Sequence, residues 1–144
     1  MRIMGFNRKW EKLGQDTFTT FRFARKDRDW EVGEQVQIVV NPRRKGGGRR
    51  LGVAEIVSKG TRRIAWLGRC GCEAPLVTNE EANADGFPDY EVIRSDAPVL
   101  HIEGYFSMWE FLYLAYGRRL FEEPMHKLVL RKVGNWQDVS ANDP

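Results

Sequence analysis

The chain has 144 residues, of which 42% are hydrophobic and 30% charged, enough apolar material to bury a core without disulfide staples; one domain is expected. The net charge of +3 is too small an excess to mark a nucleic-acid binder by itself. No apolar run approaches the roughly 18 residues of a bilayer span, and Met1–Phe6 lacks the apolar stretch of a signal peptide, so a cytoplasmic protein with no membrane association is expected.

In chain order, Arg2–Phe6 reads as a first strand and Arg8–Leu13 as one or two helical turns with Trp10 and Leu13 inward. Thr17–Phe23 follows, β-branched and aromatic, a strand composition. After Trp30-Glu-Val-Gly-Glu34, the residues Gln35–Val40 alternate with a period of two. Asn41–Arg50 reads as a flexible basic loop and Leu51–Val57 as the returning strand of a long-tipped hairpin. A further strand is expected over Arg63–Leu67, ended by the Gly68–Gly71 region.

Helical signals follow. Thr78-Asn-Glu-Glu81 has the spacing of a capping box, and Ser107-Met-Trp-Glu110 repeats it before Phe111–Tyr116, with Gly117 as a left-handed stop. Pro124 closes a loop before a last strand at Lys127–Val133. Many short strands with two or three helices predict an α+β domain, a strongly curved sheet or barrel with helices packed at its ends, over residues 1–134, followed by a polar tail over 135–144 that Trp136 pins.

Charge is polarised along the sequence. Arg43, Arg44, Lys45, Arg49, Arg50, Lys59, Arg62, Arg63 and Arg69 face a single acid, Glu55, whereas Thr78–Glu110 is acidic. Cys70 and Cys72, one residue apart, fall short of a zinc set, and no spacing joins them to His101 or His126; no metal or cofactor is expected. Thr20 and Arg22 lie two apart on a strand, so they leave one face together and are able to hold a phosphate or a carbonyl oxygen; a solvated strand face is the plainer alternative.

The order of these words resembles the ASCH domain family, which has a PUA-like β-barrel fold associated with RNA. The likeness rests on Thr20-Phe-Arg22, Val32-Gly33-Glu34, Leu51-Gly52-x-Ala54-x-Ile56, Asp85-Gly86-Phe87 and Tyr116-Gly117. One branch of that family hydrolyses the acetyl amide of acetylcytidine with a Lys, a Thr and a helix-opening acid. That pattern places the Thr on Thr20, the Arg on Arg22 and the acid on Asp85 or Glu103, but Thr17 stands where that branch has its Lys. Lys12, Arg25 and Lys26 are the substitutes near in sequence.

Two readings follow. In the first, a cleft around Thr20 and Arg22 accepts RNA or a modified nucleoside. Arg25, Lys26 and the loop residues Arg43, Arg44, Lys45, Arg49 and Arg50 contact phosphates, and Trp30 or Trp66 stacks a base. In the second, Thr20 is a nucleophile, Arg22 an electrostatic clamp, and Asp85 or Glu103 the base of a hydrolase or a ribonuclease.

Overall fold

The computed structural model describes residues 1–43, 46–65 and 74–136. Arg44, Lys45, Trp66, Cys70 and Cys72 lie outside the described residues, as do the last two residues of the expected Arg63–Leu67 strand; of its described residues, Arg63 makes an isolated bridge with Leu76 and belongs to no named strand. The architecture is α+β, mostly sheet with three α-helices. The chain divides into two compact units. Unit 1 comprises Met1–Thr20, Ala24–Lys59 and the described residues from Leu128; unit 2 comprises Phe21–Phe23 and the described residues of Gly60–Lys127.

Seven strands are formed: β1 (Arg2–Phe6), β2 (Thr17–Arg22), β3 (Gln35–Val40), β4 (Arg49–Arg62), β5 (Tyr90–Arg94), β6 (Ala97–Ile102) and β7 (Met125–Val133). Five of them make one sheet in the order β1-β3-β4-β7-β2, and β5 and β6 make a separate antiparallel pair. The barrel expectation is corrected here: β1 and β2 are the two ends of the five-stranded order, and among the described residues no sheet closes.

In unit 1 the alternation of β3 does what its pattern dictates. Val36, Ile38 and Val40 are buried, and Met4 and Phe6 of the parallel neighbour β1 are buried beside them, with Met4 opposite Ile38. The Val32-Gly33-Glu34 turn locks β4 in register. Gly33 takes φ 92°, which favours glycine; its N–H donates to Ile56 O at 2.7 Å, and Ile56 N–H donates to Glu34 O at 2.9 Å. The expected loop ends at Gly48, because Arg49 and Arg50 already pair with Val40 and Val39 as strand residues. Trp136 does pin the end of the described chain: its Nε1 donates to Val53 O at 2.8 Å and its ring meets Phe18 edge-on at 6.0 Å.

In unit 2, α1 (Asn79–Ala84) opens on the expected capping box. Glu81 N–H donates to Thr78 Oγ1 at 3.1 Å, and Thr78 N–H donates back to Glu81 Oε1 at 3.0 Å. The second box is corrected: α2 (Gly104–Tyr116) begins three residues before Ser107, with Glu103 at its N-cap. The capping acceptor is Asp89, whose Oδ1 receives Gly104 N–H at 2.8 Å. Gly117, φ 60°, ends α2, and α3 (Arg119–Glu122) follows. Ile64, Val77, Ala82, Met108, Leu112, Leu120 and Met125 are the buried apolar side chains around which these helices and strands collect. Among the described residues no helix is long and apolar enough to cross a membrane.

Candidate functional site

Phe18, Thr20 and Arg22 alternate along β2 and leave one face of the strand. Thr20 is 4% exposed and belongs to unit 1; Arg22 is half-buried and belongs to unit 2. Burial lowers the basicity of the Arg22 guanidinium, and the charges of Tyr116 and Asp85, both in unit 2, act in the opposite direction. Asp85 is 7% exposed and forms the C-cap of α1. Lys12, in the 3-10 turn Glu11–Gly14 of unit 1, is 6% exposed, with Nζ 5.6 Å from the Phe6 ring centre and 5.5 Å from that of Trp10.

Among the described residues, Lys12, Thr20 and Asp85 are the polar or charged side chains that are buried. Burying such groups costs stability even when they are hydrogen-bonded, which singles out Lys12 and Thr20 in unit 1 and Asp85 in unit 2 as candidates for a role beyond packing. Glu103, the other candidate acid, is exposed and makes no side-chain bond at the α2 N-cap.

The expected nucleic-acid contacts separate into three groups. Trp30 is 3% exposed and roofed by two guanidinium groups, Arg2 at 4.5 Å and Arg25 at 5.3 Å from the ring centre, so it serves the core of unit 1 rather than offering a ring to a base. Around it Arg2 forms a two-pronged pair with Glu34 at 2.7 and 2.6 Å and donates to the carbonyls of Arg28 and Asp29. Lys59 Nζ donates to Asp29 Oδ2 and to Trp30 O, both at 2.9 Å. Arg25 also pairs with Asp27 at 3.2 Å, and its hydrogen bond is the main cause that brings the Asp27 carboxyl down to about 2. Lys26, Arg43 and Arg50 are exposed, and Arg49 is half-buried.

Sequence reasoning missed two features. The first is a carboxylate network in unit 2. Asp89 Oδ1 accepts from Asn83 Nδ2 and Asn79 Nδ2, each at 3.0 Å, as well as from Gly104 N–H, and Asp89 Oδ2 lies 3.4 Å from His101 Nε2. Glu81 binds Lys127 at 2.7 Å and Arg62 at 3.0 Å. The Asn83 hydrogen bond, followed by those of Gly104 and Asn79, holds the Asp89 carboxyl well below the ordinary range. Burial raises the Glu81 carboxyl, but the Lys127 and Thr78 hydrogen bonds and the neighbouring cations outweigh it, leaving it lowered.

Both carboxyl groups bind protons more weakly folded than unfolded, so the stability they give is present above the ordinary carboxylate range and is lost as pH falls through the folded values. We expect the thermal midpoint to fall between about pH 5 and pH 2, and Asp89→Asn to flatten that fall. Circular dichroism melts across this range check it; an Asp89→Asn curve parallel to the native one would contradict the assignment.

The second missed feature is a cleft of about 830 Å3 in unit 1, lined by Trp10, Trp136, Lys9, Arg131 and Lys132, with the acids Glu11 and Asp16 on its wall. The alternation of basic and aromatic residues in Arg8-Lys9-Trp10 and the Lys132-x-x-x-Trp136 spacing were the available signals.

Comparisons with protein-family models, with curated proteins and with solved structures found nothing that matches the chain.

Proposed function

We propose that this chain is an RNA- or nucleotide-binding module of the ASCH, PUA-like kind, whose ligand is a nucleoside or a base of RNA read by Thr20, Arg22 and Asp85. The observation that carries the reading is the burial of Thr20 in unit 1 and of Asp85 in unit 2, with Arg22 half-buried on the strand face that Thr20 shares. A guanidinium is a planar donor fork and a carboxylate is an acceptor. The two therefore match the acceptor and donor groups on a base edge, and a threonine hydroxyl supplies either sense. The resemblance of Thr20-Phe-Arg22 and Asp85-Gly86-Phe87 to the family words supports the same residues.

A thermal-shift panel of cytidine, acetylcytidine and short RNAs tests this. A ligand that binds only the folded state at about a hundred times its Kd adds about 2.7 kcal/mol, so a rise of the melting temperature is expected with at least one member. Thr20→Val and Arg22→Lys are expected to abolish the rise given by the nucleosides. A flat response across the panel, or an undiminished one in both variants, would overturn the reading.

Lys12 gives a specific ground for the second reading, a hydrolase acting on a modified nucleoside. Here the Thr20 hydroxyl oxygen attacks the acetyl carbonyl carbon and the C–N bond breaks. The amine leaves with a proton, and water then cleaves the acyl ester to release acetate and restore the hydroxyl. A desolvated lysine is suited to activating such a hydroxyl. Because Thr17 stands at the family Lys position, little or no acetate is expected from acetylcytidine; robust release, abolished by Thr20→Ala and by Lys12→Met, would put this reading in place of the first.

A further inference from the structure

The cleft of unit 1 joins large aromatic rings to cations. Trp136 is half-buried at its wall and anchored by the Nε1 hydrogen bond to Val53 O, and Gly52 lies so close beneath its indole that a Cβ there would come within 2.6 Å of Nε1. The ring is therefore fixed before any ligand arrives. Lys132 Nζ lies 4.5 Å from its centre, and Arg8 lies 3.6 Å from the centre of the Trp10 ring. Lys9 and Arg131 are exposed at the wall, Arg131 in an ion pair with Glu55 at 2.7 Å. The volume, about 830 Å3, is that of a site for a ligand of nucleotide to dinucleotide size.

We propose that this cleft is a second binding site, distinct in its residues from Thr20, Arg22 and Asp85, which takes one or two nucleotides of a single-stranded nucleic acid. Stacking on a fixed indole is indifferent to base identity, because every base has a π-face. Lys9 and Lys132 neutralise the phosphates on either side of the stacked base. Glu11 and Asp16 accept from base N–H donors, the N3–H of uracil and thymine among them, and disfavour a second phosphate at their end of the cleft, which suits a chain that passes through rather than a free polyphosphate. The inference rests on the reading of the chain as a nucleic-acid-binding module, and its test uses other residues.

Fluorescence anisotropy with labelled short oligouridine and oligothymidine, each titrated at several salt concentrations, reads the site. Lys9→Ala/Lys132→Ala is expected to weaken binding at low salt at least about tenfold and to lower the single-strand log-log salt slope by about 1.4, two phosphates at about 0.7 each. Trp136→Phe, which keeps an aromatic ring and spares the fold, is expected to weaken it several-fold with the slope unchanged. Equal behaviour of the two oligomers assigns recognition to bases and phosphates; a preference for oligouridine that persists over oligodeoxyuridine, which lacks the thymine methyl, adds the 2′-hydroxyl.

The lysine variant keeps its thermal shift with the nucleoside panel, so failure at the cleft and failure at Arg22 are separable. Native affinity and slope in the double lysine variant, or no binding of either oligomer by the native protein at low salt, would overturn the proposal.

Discussion

Replacing Gly104 with alanine is expected to lower stability by about 3 kcal/mol, the upper end of what overpacking costs. Gly104 is the first residue of α2 and is buried. A Cβ there would run into the Phe87 carbonyl oxygen and come within 2.6 Å of Asn83 Nδ2. Neither obstacle is free to move. Asn83 Nδ2 donates to Phe87 O at 2.8 Å and to Asp89 at 3.0 Å, while Phe87 N–H donates to Ala82 O at 3.1 Å.

Relief of the clash would thus break the contacts that fasten the end of α1 to the start of α2. Asp89 would also lose its hold on the Gly104 N–H. Gly14→Ala is the control: nothing lies within 4 Å of its would-be Cβ, so a change within about 0.5 kcal/mol is expected. Urea unfolding of both variants decides, and equal midpoints would show that the Phe87 carbonyl is not where the contact requires it.

This cluster also shows why part of the fold was legible in the sequence and part was not. The strands Arg2–Phe6 and Gln35–Val40 were readable to the residue because one face of each is buried and the period of two survives. The capping box at Thr78 was readable because all its bonds close within four residues. The start of α2 was not, since its capping carboxylate is Asp89, fifteen residues away, and a long-range acceptor leaves no local spacing; Ser107 and Glu110 imitated a box inside the helix. The β5–β6 pair was missed for a different reason: Ile93, Val99 and Leu100 are exposed, and no burial imposes an alternation.

The candidate site divides in the same way. That Thr20 and Arg22 share a strand face was visible from strand geometry alone, whereas the burial of Asp85 and the exposure of Glu103 were not. Burial of Lys12 runs against the ordinary preference of lysine for solvent, so no sequence rule proposes it. Trp30 was eligible as a stacking ring until Arg2, distant in sequence, was found against it.

The electrostatic influence of Asp85 on Arg22 motivates the second large effect. Asp85 stands at the C-cap of α1, where a helix is worst served by a negative charge, and it stands there buried. A residue that breaks local preference in this way is expected where function requires it and where some neighbour compensates. Arg22, half-buried in the same unit, is subject to the field of Asp85 and is the cation expected to compensate it.

If the two act as a pair, Arg22→Met leaves a buried carboxylate uncompensated and a loss of about 3 kcal/mol, the lower end for a broken buried pair, is expected, with a loss of the same sign for Asp85→Leu. The double variant Arg22→Met/Asp85→Leu removes both charges and is expected to recover most of that loss, because apolar replacement of an ion pair is often neutral or stabilising. Its response to cytidine and acetylcytidine is nevertheless expected to vanish, since the donor fork and its acceptor are both gone.

Urea unfolding of the two single variants and the double, with the ligand panel repeated on the double, measures stability and binding independently. A double variant as unstable as the sum of the singles would show that the two charges do not act as a pair. A stable double variant with the native ligand response would show that the pair serves the fold alone, and the binding reading of this site would fall with it.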